Sequence, residues 1–556
     1  MESEGKFSTR YRDAVAVIEL NPDVYRELGS PKRVKVRSAF GEVVVKAMPS
    51  DRVPPDRAYM PMGPWANALV DPSTESTGMP NFKSTKVVVE PTDEEITDIL
   101  TLLHRYSSKI SSVKPAEKPL SGGPKRVVED FVCPFCGLLC DYIKLEIEGD
   151  RIVKNIGGCA ISVAKTLNHH KDRILKPMVR KNGELVETSL EEAIDRAAEI
   201  LAKARYPLLY GWSSTSVEAI ELGLELAEVV RGVIDNTSTV CHGPTAMAIQ
   251  ETGTVRMTLG LIKHLADVVV FWGCNPLEAH PNFFRRLVEA EGRKVSGRKD
   301  RKIIVIDVRK TPTAARADLF IQIEPGRDYE FITALRMAIK DLEIEAPVVA
   351  GVPREKIIEL AEILRSARYG VILFGMGVTM TGAKFRNIEE VIKLVQDLNE
   401  YTRFSLLAMR GHYNVTGANA SKLWTTGYPY AVDFSRGYPR FLPGYTTTVD
   451  LLSRGEVDAV LVVASDPVAH LPWKAVQHLA KVPLIVIDPK WSLTAALADV
   501  VIPSAITGIE CEGTAYRMDG VAIKLKKVVD PPPGVLPDTE ILRMILEKVK
   551  KLKGLS

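Results

Sequence analysis

The sequence lacks any apolar run near the roughly 18–20 residues that a helix needs to cross a bilayer. It also lacks an excess of either charge, because 73 Lys and Arg residues balance 70 Asp and Glu residues for a net charge of +3. Such a balance gives no electrostatic footprint for nucleic acid or for an anionic membrane. The first residues contain no apolar signal segment and no adjacent arginine pair ahead of one. We therefore expect a cytoplasmic protein with no membrane span and no nucleic-acid partner.

Two common catalytic signatures are also missing, since the sequence contains neither a Walker A phosphate loop nor a G-x-S-x-G nucleophile turn. Apolar residues make up 46% and charged residues 26%, which is ordinary for a globular protein and excludes a disordered or fibrous chain. Cysteine is scarce, with seven residues among 556. In a reducing compartment these cysteines are expected to be ligands or free thiols rather than disulfides.

Composition divides the chain into four parts. Short β-like pieces separated by Pro and Gly predict a small β-rich domain over residues 1–113. The Pro- and Gly-rich segment at 114–126 has no apolar periodicity and is predicted to be a linker. A cysteine-rich segment follows at 127–180. From 181 to 556, strand and helix patterns alternate, which predicts parallel sheets of the doubly wound kind.

Several short apolar runs have the composition of strands. In the first part they are Val34–Val36, Glu42–Val45 and Thr85–Val89, and in the alternating part Leu208–Trp212, Val268–Trp272, Ile303–Ile306, Val371–Phe374, Val460–Val463 and Leu484–Ile487. An amphipathic helix is expected at Leu190–Ala204, where Ser189 and Glu192 have the spacing of a capping box.

The alternating part contains an internal repeat. Its first copy reads VVFWGCNPLEAHP and then VIDVRKTPTAARADLFI, and its second reads VLVVASDPVAHLP and then VIDPKWSLTAALADVVI. In each copy an Asp closes a strand and a second Asp follows eleven residues later, at Asp307 and Asp318 and at Asp488 and Asp499. Because ligands bind at the carboxyl ends of strands in open α/β sheets, two related domains would present two similar ligand sites. The alternative is that the copies are only similar βαβ units.

Four cysteines form the motif C-x2-C-x3-C-x18-C, at Cys133, Cys136, Cys140 and Cys159. Four thiolates suit either a zinc ion or an iron–sulfur cluster. Four-cysteine zinc sites usually contain two close pairs, whereas here three cysteines share one loop and the fourth stands alone. The spacing therefore favours a [4Fe–4S] cluster, with a zinc site and unliganded thiols as the alternatives.

The remaining cysteines stand apart from one another. Cys241 precedes His242 in a Cys-His-Gly-Pro run, where a thiolate could act as a nucleophile or a metal ligand, although a lone cysteine is more often a core residue. Cys274 and Cys511 taken alone indicate structural positions. The glycine-rich run at 374–382 does not fit the dinucleotide fingerprint, and it predicts either a close approach to a phosphate or a plain turn.

Four phrases carry a resemblance to a known family: MPMGPWANALV, STGMPNFKSTKVVVEP, CHGPTAMAIQETGT and AMRGHYNVTGAN. They resemble the molybdopterin oxidoreductases, which hold tungsten or molybdenum between two pyranopterin guanine dinucleotides, and among these the formylmethanofuran dehydrogenases. Residues from about 127 onward are similar to the catalytic B subunit, and residues 1 to about 95 to the small D subunit. The resemblance implies a multidomain α/β fold with an N-terminal dinucleotide-binding β-barrel module, an iron–sulfur loop domain and two related doubly wound α/β domains.

Two features depart from the family pattern. The barrel module lies ahead of the catalytic part, whereas many single-chain relatives carry it at the C-terminus, so the chain resembles a fusion of D ahead of B. In many formate dehydrogenases a Lys follows two residues after the fourth cluster cysteine. Here that residue is Ile161, and Lys165 is the nearest lysine that could take its place between cluster and pterin.

The resemblance also implies roles for particular residues. The four-cysteine loop matches the family's [4Fe–4S] site, Cys241 matches its metal-ligating cysteine, and His242 matches the histidine beside it. Arg410 matches the arginine that faces the metal in formate-type enzymes. The residues expected to bind the two molybdopterin guanine dinucleotides are Lys165, Trp212, Gly273, Cys274, Asn275, Pro276, His280, Asp307, Arg309, Thr311, Gly326, Asp328, Gly375, Met376, Gly377, Ser465, Asp466 and Asp488, with Trp65, Asn67, Thr77 and Lys83 from the N-terminal part.

The implied activity is the reversible reduction of CO2 to formate at tungsten or molybdenum, with electrons entering through one [4Fe–4S] cluster. The sequence has no H-x-H metal-ligand set, so condensation of formate with methanofuran falls to a separate amidohydrolase-like subunit. Iron–sulfur subunits of the polyferredoxin type are the expected electron partners. The rival hypotheses are a stand-alone formate dehydrogenase and a non-catalytic iron–sulfur scaffold for electron transfer.

Overall fold

The computed structural model describes residues 5–111 and 115–555. Its N-terminal module contains helices α1 (Thr9–Val15), α2 (Pro22–Glu27), α3 (Pro64–Asn67) and α4 (Ile99–His104) and strands β1 (Val17–Leu20), β2 (Arg33–Arg37), β3 (Glu42–Pro49), β4 (Ala58–Tyr59) and β5 (Val88–Pro91). The strands form one sheet in the order β4-β1-β3-β2-β5, with β1 and β3 parallel and the other pairs antiparallel.

This module is an open half-barrel with β4 and β5 at its edges, and it carries more helix than the β-rich pattern predicts. Alternate residues of β2, Val34 and Val36, face a core that they share with Leu102 and Leu103 of α4. Short helices therefore cover the apolar face of the sheet, which a closed barrel would bury inside itself. The predicted strand at Thr85–Val89 begins later, at Val88.

The boundary at 113–114 lies outside the described residues, and within the predicted linker Ala116 and Lys118 are packed while most of the other residues are exposed. Ala116 pairs with Arg173 through hydrogen bonds of 3.0 and 2.8 Å in the two directions, and the side chain of Lys118 is buried. Strand β6 (Lys125–Phe131) begins inside the predicted segment and joins β7 (Ile143–Glu148) and β8 (Arg151–Ile156) in an antiparallel sheet. Helix α5 (Ala160–Leu167) follows this sheet.

The remaining elements alternate as the sequence predicts. In chain order they are β9 (Met178–Lys181), β10 (Glu184–Glu187), α6 (Leu190–Lys203), β11 (Pro207–Gly211), α7 (Val217–Val229), β12 (Val233–Asn236), α8 (Gly243–Thr252), α9 (Leu259–Leu265), β13 (Val268–Trp272), α10 (Pro276–Ala279), β14 (Lys302–Asp307), β15 (Leu319–Gln322), α11 (Asp328–Ile339), β16 (Val348–Val349), β17 (Val352–Pro353), α12 (Arg354–Arg365), β18 (Gly370–Phe374), α13 (Met376–Thr379), α14 (Phe385–Leu398) and β19 (Phe404–Ala408). They continue with α15 (Val415–Thr426), β20 (Val432–Asp433), β21 (Arg440–Phe441), α16 (Thr448–Arg454), β22 (Ala459–Val463), α17 (Pro467–His470), α18 (Trp473–Leu479), β23 (Leu484–Asp488), α19 (Leu493–Leu497), β24 (Val500–Pro503), β25 (Gly513–Tyr516), β26 (Ala522–Leu525) and α20 (Asp538–Leu552).

The six expected strands of this region are confirmed to within about one residue at each end. Helix α6 confirms the predicted helix, and the Glu192 backbone N–H donates to Ser189 Oγ at 3.1 Å. The capping box is not closed reciprocally, because the Glu192 carboxylate bonds the Thr188 hydroxyl instead. None of the helices in the two described ranges is long and apolar enough to cross a membrane.

Two sheets with the same arrangement form the catalytic region. The first is fully parallel in the order β15-β14-β13-β18-β19. The second has nine strands, and its five central parallel strands run β24-β23-β22-β11-β12. Strands β22, β23 and β24 thus correspond to β13, β14 and β15, while β11 and β12 correspond to β18 and β19. The sequence repeat covers only the first three strands of each set, because the first sheet is inserted between β12 and β22 of the second.

One buried ion pair ties three distant segments together. The Arg173 guanidinium donates to both carboxylate oxygens of Glu510, at 2.5 and 2.8 Å, and its Nε donates to the Pro489 carbonyl at 3.0 Å. Both charged side chains are fully buried, and Lys118 Nζ lies 3.5 Å from Glu510. The pair therefore fastens the 115–118 segment and the end of the cysteine module to the strand ends of the second sheet.

We predict that Arg173→Met destabilises the protein by roughly 3–5 kcal/mol, because it leaves a buried carboxylate without its bidentate partner. The midpoint of thermal unfolding, followed by circular dichroism, should fall by several degrees. Lys203→Met is the control, since Lys203 belongs to an exposed pair with Glu199 and should leave the midpoint unchanged. Equal midpoints for the two variants would contradict the structural role of Arg173.

Candidate active site

The four cysteines of the motif line one small cavity. Three of them lie on the loop between β6 and β7, and Cys159 precedes α5 as its N-cap residue. The other lining residues are Phe135, Leu138, Ile161, Ser162, His280, Pro281 and Asn282. Among the described residues, no three His, Cys, Asp or Glu side chains gather closely enough to hold a single ion. What the four thiols share is a cavity, and this arrangement fits a multi-atom cluster.

The thiols of this cavity are in a setting that disfavours bare thiolates. Burial raises the pKa of Cys136 to about 12, and it also raises the pKa values of Cys133 and Cys140, with neighbouring cysteines adding to the effect. Two polar side chains contact the sulfurs: Ser162 Oγ lies 3.3 Å from Cys133 Sγ, and Asn282 Nδ2 lies 3.8 Å from Cys140 Sγ. Positive metal ions would stabilise the thiolate form that burial opposes.

A second site lies where the two sheets meet. Cys241 follows β12 after one turn of 3₁₀ helix, and Arg410 stands two residues beyond β19, the corresponding strand of the other sheet. Burial raises the pKa of Cys241 to about 11, while the Arg410 guanidinium opposes that shift. Burial lowers the pKa of Arg410 to about 10, helped by Arg256 and opposed by Cys241. Each group acts on the pKa of the other, so the thiol and the guanidinium, both buried, lie near one another.

His242 adds an unpaired nitrogen to this pocket. Its Nδ1 lies 3.0 Å from Thr245 Oγ1, whereas its Nε2 is buried and makes no hydrogen bond of good geometry among the described residues, although the Met409 backbone carbonyl lies close enough to raise the pKa of the ring. Burial, together with the nearby Arg410 charge, lowers the pKa of His242 to about 3, so the ring is neutral at physiological pH. A buried nitrogen left unsatisfied by the protein fits a bound group at this position.

Two residues close to Arg410 were not predicted from the sequence. The Asn419 side-chain amide lies 2.8 Å from Arg410 Nη1 and, with its oxygen turned toward the guanidinium, accepts a hydrogen bond from it. Arg256 influences Arg410 electrostatically. No local pattern marks either residue, since Asn419 lies within helix α15 and Arg256 in the loop after α8.

The glycine loops of the first sheet pack backbone against backbone. Gly273 follows β13 with φ +54°, and the Gly377 N–H donates to its carbonyl at 2.9 Å. A Cβ on Gly377 would lie 2.6 Å from Gly273 Cα, and one on Gly375 would lie 2.5 Å from Cys274 Cβ. Loop 273–276 and loop 375–377, which includes the half-exposed Met376, thus lie side by side at the strand ends, and their role in cofactor binding stays a prediction.

A cluster of charged residues lies beside these loops. Burial raises the pKa values of Asp307 and Asp328 to about 6, and the charge of Asp307 acts on Asp328. Lys83, from the N-terminal module, is influenced by both Asp307 and Arg309. The structure therefore brings together Lys83, Asp307, Arg309 and Asp328, four residues predicted to bind the dinucleotides. Trp272 Nε1 fixes Asp328 by donating to it at 3.0 Å.

Two further predicted residues frame this cluster. Thr311 Oγ1 accepts from the Ala314 N–H at 3.1 Å and so shapes the turn after β14. Gly326 has φ +79°, and a Cβ added there would have nothing within 4 Å, which leaves open space just before Asp328.

The second sheet repeats this geometry. Ala464 takes the place of Gly273 with φ +48°, and Ser465 and Asp466 follow where Cys274 and Asn275 stand in the first copy. Thr494 Oγ1 donates to Asp466 at 2.6 Å, as Thr313 Oγ1 donates to Asn275 at 2.6 Å. Burial raises the pKa of Asp488 to about 7. Lys6 Nζ of the N-terminal module also donates to Asp466 at 2.6 Å. No sequence pattern predicted this contact.

The second Asp of each repeat, Asp318 or Asp499, has a structural role. Asp318 Oδ2 accepts from the Ile303 N–H at 2.7 Å, and Asp499 Oδ2 accepts from the Leu484 N–H at 3.0 Å. Both carboxylates therefore hold the beginnings of strands β14 and β23, at the edge opposite the ligand crevice.

Lys165 lies between the cysteine cavity and the second sheet. Its Nζ is 5.5 Å from the centroid of the Phe135 ring, and its charge acts on Cys136 and on Lys490. Lys490 in turn is influenced by Asp488, which ends β23. The bridge between cluster and pterin stays a prediction for Lys165.

Several predicted residues make scaffold contacts. Trp65 is fully buried in the N-terminal core and donates to the Thr97 carbonyl at 2.7 Å, and Trp212 (φ +67°) donates to the Leu209 carbonyl at 3.1 Å. Thr77 Oγ1 closes a turn onto the Thr74 carbonyl at 2.6 Å. Asn67 Nδ2 donates to the Ala469 carbonyl at 3.0 Å, which docks the N-terminal module on the second sheet.

His280, which follows the predicted pterin loop at 273–276, also contacts the cysteine cavity. It forms part of the wall of the cysteine cavity, and its Nε2 lies 2.9 Å from the Arg410 carbonyl oxygen. The histidine thus stands between the two sites that the sequence predicted separately.

The comparison with protein families matches residues 173–548 to the molybdopterin oxidoreductases and residues 2–86 to the molydopterin dinucleotide binding domain. The chain is also 50% identical, over 432 residues, to the B subunit of the tungsten-containing formylmethanofuran dehydrogenase 2 of Methanocaldococcus jannaschii, covering 77% of this chain and 99% of that one. The chain belongs to the formylmethanofuran dehydrogenase B-subunit family of the molybdopterin oxidoreductases. It is an oxidoreductase, and the resemblance seen in the sequence is confirmed.

Other similarities extend beyond this B-subunit family. The chain is 28% identical to the alpha subunit of F420-dependent formate dehydrogenase 1 of Methanococcus maripaludis, covering 75% of this chain and 70% of that one. A chain of the formyltransferase/hydrolase complex of Methylorubrum extorquens, solved with methylofuran, superposes with a TM-score of 0.56 at 25% identity, covering 68% of this chain and all of that chain. Acetylene hydratase of Pelobacter acetylenicus, at 15% identity and a TM-score of 0.59, shares the fold over 77% of this chain and 69% of its own.

We predict that Gly377→Ala lowers both the pterin content and the thermal midpoint of the purified protein. Its methyl group must displace the Gly273 backbone, which lies 2.6 Å from the new atom. Pterin is measured by fluorescence after oxidative release. Gly122→Ala, at an exposed glycine with open space around it, should match the parent protein. Unchanged pterin content in Gly377→Ala would show that the close loop packing is dispensable.

Proposed function

We propose that this chain is the redox half of formylmethanofuran synthesis and catalyses CO2 + 2e⁻ + H⁺ ⇌ HCO2⁻. The reacting centre would be tungsten or molybdenum held by two molybdopterin guanine dinucleotides and Cys241, and tungsten is favoured by the name of the relative at 50% identity. The observation that carries the proposal is the buried meeting of Cys241, His242 and Arg410 at corresponding strand ends of the two sheets. When bound, the metal centre supplies two-electron exchange with the carbon of formate.

Cys241 is suited to be the protein ligand of that centre. A bare thiolate is disfavoured by burial, but the Arg410 charge and a hydrogen bond from the Gly411 backbone N–H both stabilise it. A thiolate held in this way presents a soft donor to a metal ion without further rearrangement.

Arg410 is suited to hold the substrate. Its guanidinium offers two parallel N–H donors that match the two oxygens of a carboxylate. With a pKa of about 10 it stays charged at physiological pH despite burial, and the low surrounding dielectric strengthens its attraction for an anion. Asn419 accepts from Nη1 and so fixes the plane of the fork.

His242 is suited to place a neutral hydrogen-bonding nitrogen beside Cys241. Its Nδ1 is turned to Thr245, so the ring orientation is set and Nε2 faces the pocket without a well-formed hydrogen bond. Because burial and the Arg410 charge lower the pKa of the ring to about 3, its role is to hydrogen-bond a bound group rather than to carry a positive charge.

Electrons would reach this site through one [4Fe–4S] cluster on the four cysteines of the motif. The cavity that they share, and the burial that disfavours their free thiolates, suit a cluster. Lys165, between Cys136 and Lys490, would then lie on the way from cluster to pterin.

The proposed activity requires partners. Formate made here would pass to a separate amidohydrolase-like subunit for condensation with methanofuran, and the likeness to a chain of a complex solved with methylofuran supports this. Iron–sulfur subunits of the polyferredoxin type would supply electrons. The free cysteines suit a reducing compartment, so we place the enzyme in the cytoplasm. Purification without an amidohydrolase-like protein would favour the alternative, a stand-alone formate dehydrogenase.

Elemental analysis of the anaerobically purified protein tests the cofactor set. We expect about four irons per chain, the content of one cubane cluster, together with one tungsten or molybdenum. Iron without tungsten or molybdenum, in a preparation that retains its pterin, would favour an electron-transfer scaffold. Zinc in place of iron would contradict the cluster assignment of the four cysteines.

Arg410→Ala should reduce formate oxidation with a viologen acceptor by about 100-fold or more, because the carboxylate loses its bidentate partner in a buried site. Tungsten, molybdenum and iron contents should equal those of the parent. Arg354→Ala, an arginine at the start of α12, is the matched control with parental turnover. Parental turnover in Arg410→Ala would remove this residue from the mechanism.

A further inference from the structure

The backbone of Arg410 and Gly411 is held from three directions. The Arg410 carbonyl accepts from His280 Nε2 at 2.9 Å, and the Gly411 carbonyl accepts from the Gly137 N–H at 2.9 Å. The Gly411 N–H donates to the Cys241 thiol. Two consecutive residues thus connect the metal-ligand position to His280 and Gly137, and none of these bonds uses the Arg410 side chain.

Gly137 and His280 both adjoin the four cysteines. Gly137 follows Cys136 directly in the loop of three cysteines, and His280 is one of the residues that form the cavity wall. The wall of the proposed cluster site is therefore in direct contact with the backbone that carries the substrate-binding guanidinium.

The contact at Gly137 leaves no room for a side chain. A Cβ at this position would lie 2.5 Å from the Arg410 carbonyl oxygen, closer than carbon and oxygen can approach. The residue cannot easily retreat, because its own carbonyl accepts from the Met518 N–H at 2.9 Å. The cysteine loop can therefore lie this close to the Arg410 backbone only because Gly137 has no side chain. A methyl group at this position would push the two segments apart.

We infer that Gly137 and His280 are positioning residues for Arg410, so that the iron–sulfur loop sets where the guanidinium meets the substrate carboxylate. The inference rests on the proposed role of Arg410 as the carboxylate-binding residue. Shifts of about 1 Å in such a group cost on the order of 100-fold in rate, so a backbone held at three points has a direct effect on catalysis. The residues around the cluster and the substrate-binding guanidinium are then structurally coupled, so that a change in the first displaces the second.

The test uses the anaerobically purified holoenzyme with formate and a viologen acceptor. His280→Ala should raise the KM for formate about tenfold or more, while the KM for viologen, which reports electron exit through the cluster, stays at the parental value. His280→Gln keeps a donor for the Arg410 carbonyl and should recover most of the loss. Gly137→Ala should impair formate binding in the same way. Iron content and the low-temperature EPR signal of the reduced cluster show whether each variant keeps its cluster.

A double-mutant cycle separates positioning from general damage. In an Arg410→Ala background, His280→Ala should have no further effect on formate kinetics, because the group that it positions is gone. His478→Ala is the matched control, since His478 Nε2 bonds the Val457 carbonyl at 2.7 Å far along the chain from either site.

The possible outcomes are distinct. If Arg410→Ala is impaired while the His280 and Gly137 variants have parental KM values, the positioning inference is overturned and the proposed function stands. If Arg410→Ala itself is unimpaired, the proposed function fails first. Loss of iron in both His280 variants, or equal effects of His280→Ala with and without Arg410, would make these residues supports of the cluster alone and would also overturn the inference.

Discussion

All strands of a parallel sheet end at the same edge, and the candidate active site depends on this constraint. Two sheets with the same strand order bring their carboxyl edges together, so the loops that follow equivalent strands lie near one another. Cys241 follows β12, and Arg410 follows β19, the equivalent strand of the other sheet. Residues that are remote in the chain therefore share a buried pocket because of sheet topology alone.

The same constraint explains the paired charged sites beside the pocket. Each sheet ends the second strand of the repeat with a half-buried Asp, at Asp307 and Asp488, and has a turn with positive φ at Gly273 or Ala464. The N-terminal half-barrel then contributes one lysine to each side, Lys83 to the first and Lys6 to the second. The N-terminal module, which precedes the catalytic region in the chain, therefore contributes a side chain to both charged sites.

Several site residues were predictable because they stand in local patterns. The cysteine spacing marked the four-thiol cavity, and the repeat marked Asp307, Asp488 and the turns before them. Residues that act through tertiary contacts had no such mark. Asn419 contacts Arg410 from the middle of a helix, and His280, predicted at a pterin loop, also lines the cysteine cavity and bonds the Arg410 carbonyl.

The sequence by itself determined the element types, the repeat, the cysteine motif and the family, because periodicity and motif spacing are local properties of a chain. It did not reveal that the first sheet is inserted within the second, since the repeat spans only three strands of each. Nor did it show that the 115–118 segment is packed, or that the cysteine loop contacts Arg410. Those features depend on which distant segments come within a few ångströms of each other, and only the tertiary structure decided that.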